Sequence, residues 1–263
     1  MHWTHFVGLF GLLISFVSCE APRQKSFEDY RIIDLSYTFD GDTLYWPTEG
    51  RFDHERTAWG TTEGGYWYSS FRFAGSEHGG THLDAPIHFS EGKWGVADIP
   101  VDRLAGPGVV IDVTAQCASD PDYLLSVADI DAHEAEHGPI PAGAAVLVKT
   151  GWAGRWPDAK SYLGSDVPGD TLNLHFPGVS AEAAQALADR GISMAGIDTA
   201  SIDRGMSRDF RAHQILAGVQ ILCLENVALS DEVPARGSTI IALPMKIGEG
   251  SGAPCRIIAL VER

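Results

Sequence analysis

Three histidines and one aspartate stand within the stretch His78-Gly79-Gly80-Thr81-His82-Leu83-Asp84-Ala85-Pro86-Ile87-His88, all at even-numbered positions. An extended backbone turns alternate residues to one face, so a strand here would present all four together. Neutral imidazole and carboxylate are usual ligands for zinc and manganese in hydrolytic sites, and gathering them in one segment lowers the entropic cost of building a coordination shell. A helix would also place His78 and His82 one turn apart, but Gly79-Gly80 and Pro86 argue against a regular helix. The plain alternative is a polar loop that happens to be rich in histidine.

Other elements must position this stretch. Residues 31–39 read as a strand, followed by the turn Asp40-Gly41-Asp42 and the aromatic segment Leu44-Tyr45-Trp46-Pro47. Residues 66–73 read as a second strand that leads into the histidines. Trp46, Trp59, Trp67 and Phe71 crowd this approach, either as the wall of a pocket for a planar substrate or as ordinary core. Residues 108–113 and 144–150 are apolar runs suited to buried strands. Residues 129–137 read as a short solvated helix, stopped by Gly138-Pro139, with His133 and His137 one turn apart on it. Residues 151–170 read as a long surface excursion, followed by His175-Phe176-Pro177-Gly178.

Ser180 fits an N-cap for a helix running to Arg190 and stopping at Gly191. The strand expected at 192–197 delivers Asp198, Ser201 and Asp203 into a loop, and ends of strands in α/β proteins are where sites collect. His213 falls in a helix, and Glu225-Asn226 ends the strand expected at 219–224. Residues 238–243 and 256–261 complete the strands. The Gly-rich loop 248–252 between them lacks the Lys-Ser/Thr pair of a phosphate-binding loop and reads as a turn. The pattern is that of one compact α/β domain with a mixed β-sheet over residues 27–263.

The chain has 263 residues, 44% hydrophobic and 21% charged, enough for a sizeable core. Its net charge of -16, without a basic patch, excludes nucleic-acid backbone binding. Residues 8–17 form an apolar run ending in Ser18-Cys19. Residues 1–18 therefore read as an export signal, with Cys19 as the first mature residue and a candidate lipid anchor. The expected location is periplasmic or membrane-anchored. In that oxidising compartment Cys117, Cys223 and Cys255 allow at most one disulfide, and Cys223, inside an apolar run, reads as a small core residue.

The stretch 78–88 matches the signature His-x-Gly-Thr-His-x-Asp-x-Pro-x-His at every fixed position. Further agreement comes at Asp34-Leu35-Ser36, Phe176-Pro177-Gly178, Gly196-Ile197-Asp198, Ser201-Ile202-Asp203, His213 and Glu225-Asn226. The chain thus resembles the cyclase-like metal-dependent hydrolases, which include isatin hydrolase and bacterial kynurenine formamidase. The resemblance implies a swivelling β/β/α fold and a homodimer. It implies His78, His82 and Asp84 as ligands of a first divalent metal, Mn2+ or Zn2+. It further implies His213 and Glu225 as partners of Asp84 at a second metal, and His88 as the proton carrier. Gln220 is an alternative ligand if one ion rather than two is bound.

The implied activity is hydrolysis of an amide or lactam C–N bond in an aromatic substrate, isatin-hydrolase-like, with an arylformamidase as the alternative. Trp46, Trp67, Phe71 and His175 are the candidate substrate contacts. An exported module that holds metal and aromatic ligand without chemistry is the remaining reading, against which His88 stands as a histidine with no role in mere retention.

Overall fold

A computed structural model describes residues 1–3 and 25–263. The expected export signal falls almost wholly, and Cys19 wholly, outside the described residues. Among these, no helix is long and apolar enough to cross a membrane.

The apolar runs form the middle of the sheet. Strands β5 (Ala105–Asp112), β7 (Ala145–Lys149), β9 (Met194–Ile197) and β10 (Leu222–Glu225) lie side by side and parallel. Both faces of such a sheet are covered, which is why the sequence there is continuously apolar. β11 (Arg236–Pro244) and β12 (Gly252–Glu262) continue the sheet antiparallel beyond β5. The short β4 (His82–Asp84) pairs with β10 on one side and β12 on the other, so the order β12-β11-β5-β7-β9-β10-β4 closes into a ring. β1 (Tyr30–Asp34) adds to the outer side of β12. This closed mixed sheet bears out the α/β expectation.

Alternation along each strand divides the core in two. Leu83, Val110, Leu147, Met194, Leu222, Leu224 and Ile257 pack together inside the ring. Val109, Ile111, Val146, Val148, Ala195, Ile197 and Cys223 face outward onto the helical layer. That layer includes α1 (Thr114–Ser119), α2 (Val127–His137), α3 (Ala159–Leu163), α4 (Ala181–Asp189) and α5 (Arg211–Gly218). A small parallel pair, β6 (Leu124–Leu125) and β8 (Gly178–Val179), ties the loops above it.

Ser180 caps α4 through Ala183 N at 3.1 Å, as expected from the sequence. Two expectations are corrected. The helix at 127–137 is not solvated all round, because Ile130 and His133 are buried against the core. The excursion at 151–170 is not a surface loop either: Trp152 and Tyr162 are fully buried. They are linked by a 2.8 Å hydrogen bond from Trp152 Nε1 to Tyr162 O. The buried carboxylate of Asp198 anchors the turn at its start, accepting from Thr150 N and Oγ1 and from the amides of Gly151 and Trp152. The cysteines at 117, 223 and 255 are free and buried.

β2 (Asp53–Thr61), absent from the sequence reading, pairs with β3 (Trp67–Ala74) in a separate two-stranded sheet. Most of the residues on this hairpin are exposed.

Candidate metal centre

The ring seam places the first candidate ligands. β4 runs antiparallel to β10 with His82 opposite Glu225 and Asp84 opposite Cys223. Because Leu83, Leu222 and Leu224 fill the inside, His82, Asp84 and Glu225 turn outward, toward α5. The histidine stretch is not the single extended strand that its spacing suggested. Gly80 takes a left-handed φ of 54° just before β4, and Pro86 opens a 3-10 turn through His88 just after it. The chain therefore bends at both ends of β4, and His78 and His88 fold back until their rings stack at 3.8 Å.

Asp84 is the hub. Its Oδ1 lies 2.7 Å from His78 Nδ1 and 3.2 Å from His82 Nε2, while its Oδ2 lies 3.2 Å from His213 Nε2. His213 Nε2 is also 3.0 Å from Glu225 Oε1, and His82 Nε2 is 3.4 Å from Glu225 Oε2. Two groups of potential ligands result, His78-His82-Asp84 and Asp84-His213-Glu225, each with its donor atoms within 4.8 Å of one another.

The far side of each ring is held separately. His82 Nδ1 donates to Gly80 O at 2.9 Å, and His213 Nδ1 donates to Asp203 Oδ2 at 2.7 Å. Asp203 also accepts from the amides of Ala212 and His213. It thereby caps α5, whose own N-cap, Phe210, offers no side-chain acceptor. Such outer partners fix ring orientation and tautomer in metal sites.

Burial disfavours the charged imidazole of His82, but the carboxylates of Asp84 and Glu225 outweigh it and push the group up to about 9. The same contest holds His213 well above the ordinary histidine range, with Asp203, Asp84 and Glu225 as its partners. Burial alone would raise Asp84, yet the three imidazoles hold it well below the usual carboxylate range. His88 moves the other way. Burial, aided by neighbouring imidazoles against the pull of Asp84, pushes it down to about 4.

Beside these groups lies a cavity of about 220 Å³. Leu44, Trp46, Phe89, Leu163 and Phe210 form its apolar wall, and His88 borders it next to the donors. Phe89 stacks on His213 at 4.3 Å, so the wall reaches the ligand cluster itself.

The family model described as "Putative cyclase" matches residues 33–204. This chain belongs to the cyclase family. Isatin hydrolase of Roseibium aggregatum is 39% identical over 195 residues, covering 71% of this chain and 73% of that one. Kynurenine formamidase of Salinibacter ruber is 33% identical, covering 86% and 96%. Isatin hydrolase A from Labrenzia aggregata, solved with benzyl benzoate, superposes with a TM-score of 0.81 at 33% identity, over 90% of this chain and 95% of that one.

Within this cyclase-family fold, His78, His82, Asp84, His213 and Glu225 come together, and His88 and Trp46 border the cavity they share. Four other candidates are placed elsewhere. Gln220 has a left-handed φ of 64°, and its Oε1 accepts from Trp94 N at 3.1 Å, which ties it to a loop away from the donors. His175 pairs with Asp122 at 2.8 Å on the surface. Trp67 and Phe71 sit on the β2–β3 hairpin, 59% and 41% exposed, where Trp59 meets both edge-on. None of the four lines the cavity.

Sequence reasoning assigned no role to Phe89, Phe210 or Asp203. Asp203 carried a signal, since it lies in the loop that follows β9. Phe89 and Phe210 carried none beyond being aromatic.

Proposed function

We propose that the chain is a metal-dependent hydrolase opening the C–N bond of a small, planar, uncharged cyclic amide, as the isatin hydrolases named among its relatives suggest. The observation that carries this reading is the five-residue donor cluster set directly against an aromatic cavity that, among the described residues, no lysine or arginine lines. A cavity of about 220 Å³ is below the ~300–1,000 Å³ of drug-sized sites and suits a ligand of one or two rings. An aryl formamide bearing an amino-acid carboxylate would find no lysine or arginine on these walls among the described residues, which favours the lactam over the formamidase reading.

The donor chemistry fits a divalent cation. His82 Nε2 is buried without a hydrogen-bond partner, close to Asp84 and Glu225 but not aligned with either. The carboxylates of Asp84 and Glu225 are buried, and a cation among them compensates charge that otherwise needs protonated imidazoles beside them. His78, His82 and Asp84 would hold one ion, and Asp84, His213 and Glu225 a second. When bound, Mn2+ or Zn2+ polarises a carbonyl and lowers the pKa of coordinated water, toward ~7 for zinc.

The protein's own groups do the rest. Asp203 and Gly80 O hold the rings of His213 and His82. Trp46, Phe89 and Phe210 receive the aromatic ring and exclude water from the reacting bond. His88, held neutral near pH 7, can take up a proton and deliver it to the leaving nitrogen, which an amide requires because its anion leaves poorly. Metal-loaded protein assayed with isatin and with N-formylkynurenine tests the reading. Fast ring opening of isatin supports it. Turnover of N-formylkynurenine alone replaces it with the formamidase.

Two further expectations are proposals of the same kind. The apolar run at 8–17 followed by Ser18-Cys19 supports export with a lipid anchor at Cys19, which cell fractionation and mass analysis of the mature N-terminus test. The exposed aromatic hairpin, which among the described residues pairs with no other strand, supports a homodimer in which a second copy covers it.

A further inference from the structure

The Gly-rich loop at 248–252 has a place in the site that its sequence does not announce. β12 begins at Gly252, which pairs with Asp84 across the ring seam, so Ser251 is delivered beside His78. His78 Nε2 lies 2.9 Å from Ser251 Oγ, and Ser251 Oγ donates to Glu77 Oε2 at 2.8 Å. The same carboxylate oxygen accepts from Ser251 N at 2.8 Å and from Gly252 N at 3.3 Å. The loop is shaped to these groups. A Cβ on Gly252 would sit 2.5 Å from His78 Cε1, and one on Gly250 would sit 3.0 Å from Glu77 Oε1.

A serine hydroxyl has one proton, and a carboxylate can only accept. With that proton directed to Glu77, Ser251 Oγ must accept from His78, which places a proton on Nε2 and leaves Nδ1 turned to Asp84 Oδ1, 2.7 Å away. We propose that Glu77 and Ser251 are positioning residues that fix the ring of His78 as an Nδ1 ligand, in contrast to His82 and His213, which present Nε2. This rests on the metal-centre reading above.

The test compares zinc-loaded full-length protein with its Ser251→Ala, Ser251→Thr and Glu77→Gln variants. Zinc affinity is read by chelator competition, and the His78 ring N–H by 15N NMR. Ser251→Ala should weaken zinc binding about 10–100-fold, the usual cost of losing such a partner. It should also remove the slowly exchanging Nε2–H signal. Ser251→Thr should restore both, and Glu77→Gln should give a smaller loss of affinity. Unchanged affinity and an unchanged ring signal in Ser251→Ala overturn the assignment. So does a loss that Ser251→Thr fails to restore, since loop packing rather than the hydroxyl would then be at work. Failure of the unmodified chain to bind zinc would instead defeat the metal-centre reading itself.

Discussion

Asp84 and His213 lie 129 positions apart in the chain and meet at 3.2 Å, carboxylate Oδ2 to imidazole Nε2. The contact joins the ring seam to the first turn of α5. With the other carboxylate oxygen facing His78 and His82, Asp84 belongs to both halves of the donor cluster. Asp84→Asn should therefore lower metal binding at both halves, and elemental analysis after dialysis should find less than half the metal of the unmodified protein.

Asp203 is placed to act through His213. Asp203→Asn should cost about 10–100-fold in metal affinity or activity, the range for outer partners of ligating histidines. Because Asp203 also caps α5, a stability loss of about 0.5–2 kcal/mol should accompany it in denaturant unfolding. Loss of stability with unchanged metal affinity would show that the cap is its sole role.

His88→Ala should separate binding from chemistry. It stacks on His78 but completes neither donor group, so metal content should be retained while kcat falls about 10²–10⁴-fold, the span of general acid–base contributions. Equal loss of metal and rate would make His88 a ligand instead.

In the metal-free protein His82 stands at about 9, above its ordinary value, so its proton is present at neutral pH and must leave when a metal binds. Apparent metal affinity should rise with pH from 6 toward about 9. Calorimetry in buffers of different ionisation enthalpy should register proton release near pH 7. No buffer dependence would contradict this.

Away from the site, Arg190 beside Glu134 holds that carboxyl down to about 2, with Nη2 to Oε2 at 2.6 Å. A depressed carboxylate contributes stability above its unfolded value, near 4.5, and loses it as pH falls through the folded value. Glu134→Gln should lower Tm at pH 7, and the gap to the unmodified protein should narrow between pH 4.5 and 2.

The sequence was informative where a local pattern carried the answer. Residues 78–88 offer three candidate ligands because imidazole and carboxylate chemistry shows in the residue types themselves, and the parallel strands show in their continuous apolar runs. His213 and Glu225 were legible only through family resemblance, since nothing local says that a helix after residue 210 returns to a strand at 82–84. Gln220 looked as eligible as Glu225 until its left-handed backbone and its bond to Trp94 N placed it elsewhere. Trp67 and Phe71 fall outside the cavity for a related reason. Their aromatic content suggested a pocket wall, but strand alternation cannot tell a face turned to a cavity from one exposed on a hairpin.

The central claim is that the Asp84-centred cluster and the aromatic cavity act as one hydrolytic site, and metal titration of stripped protein with isatin turnover followed in the same samples tests it most directly. The account predicts no ring opening without metal, and a rate that climbs with bound Mn2+ or Zn2+ until the cluster is filled. Turnover that is independent of bound metal, or a filled cluster that leaves isatin intact, would contradict it.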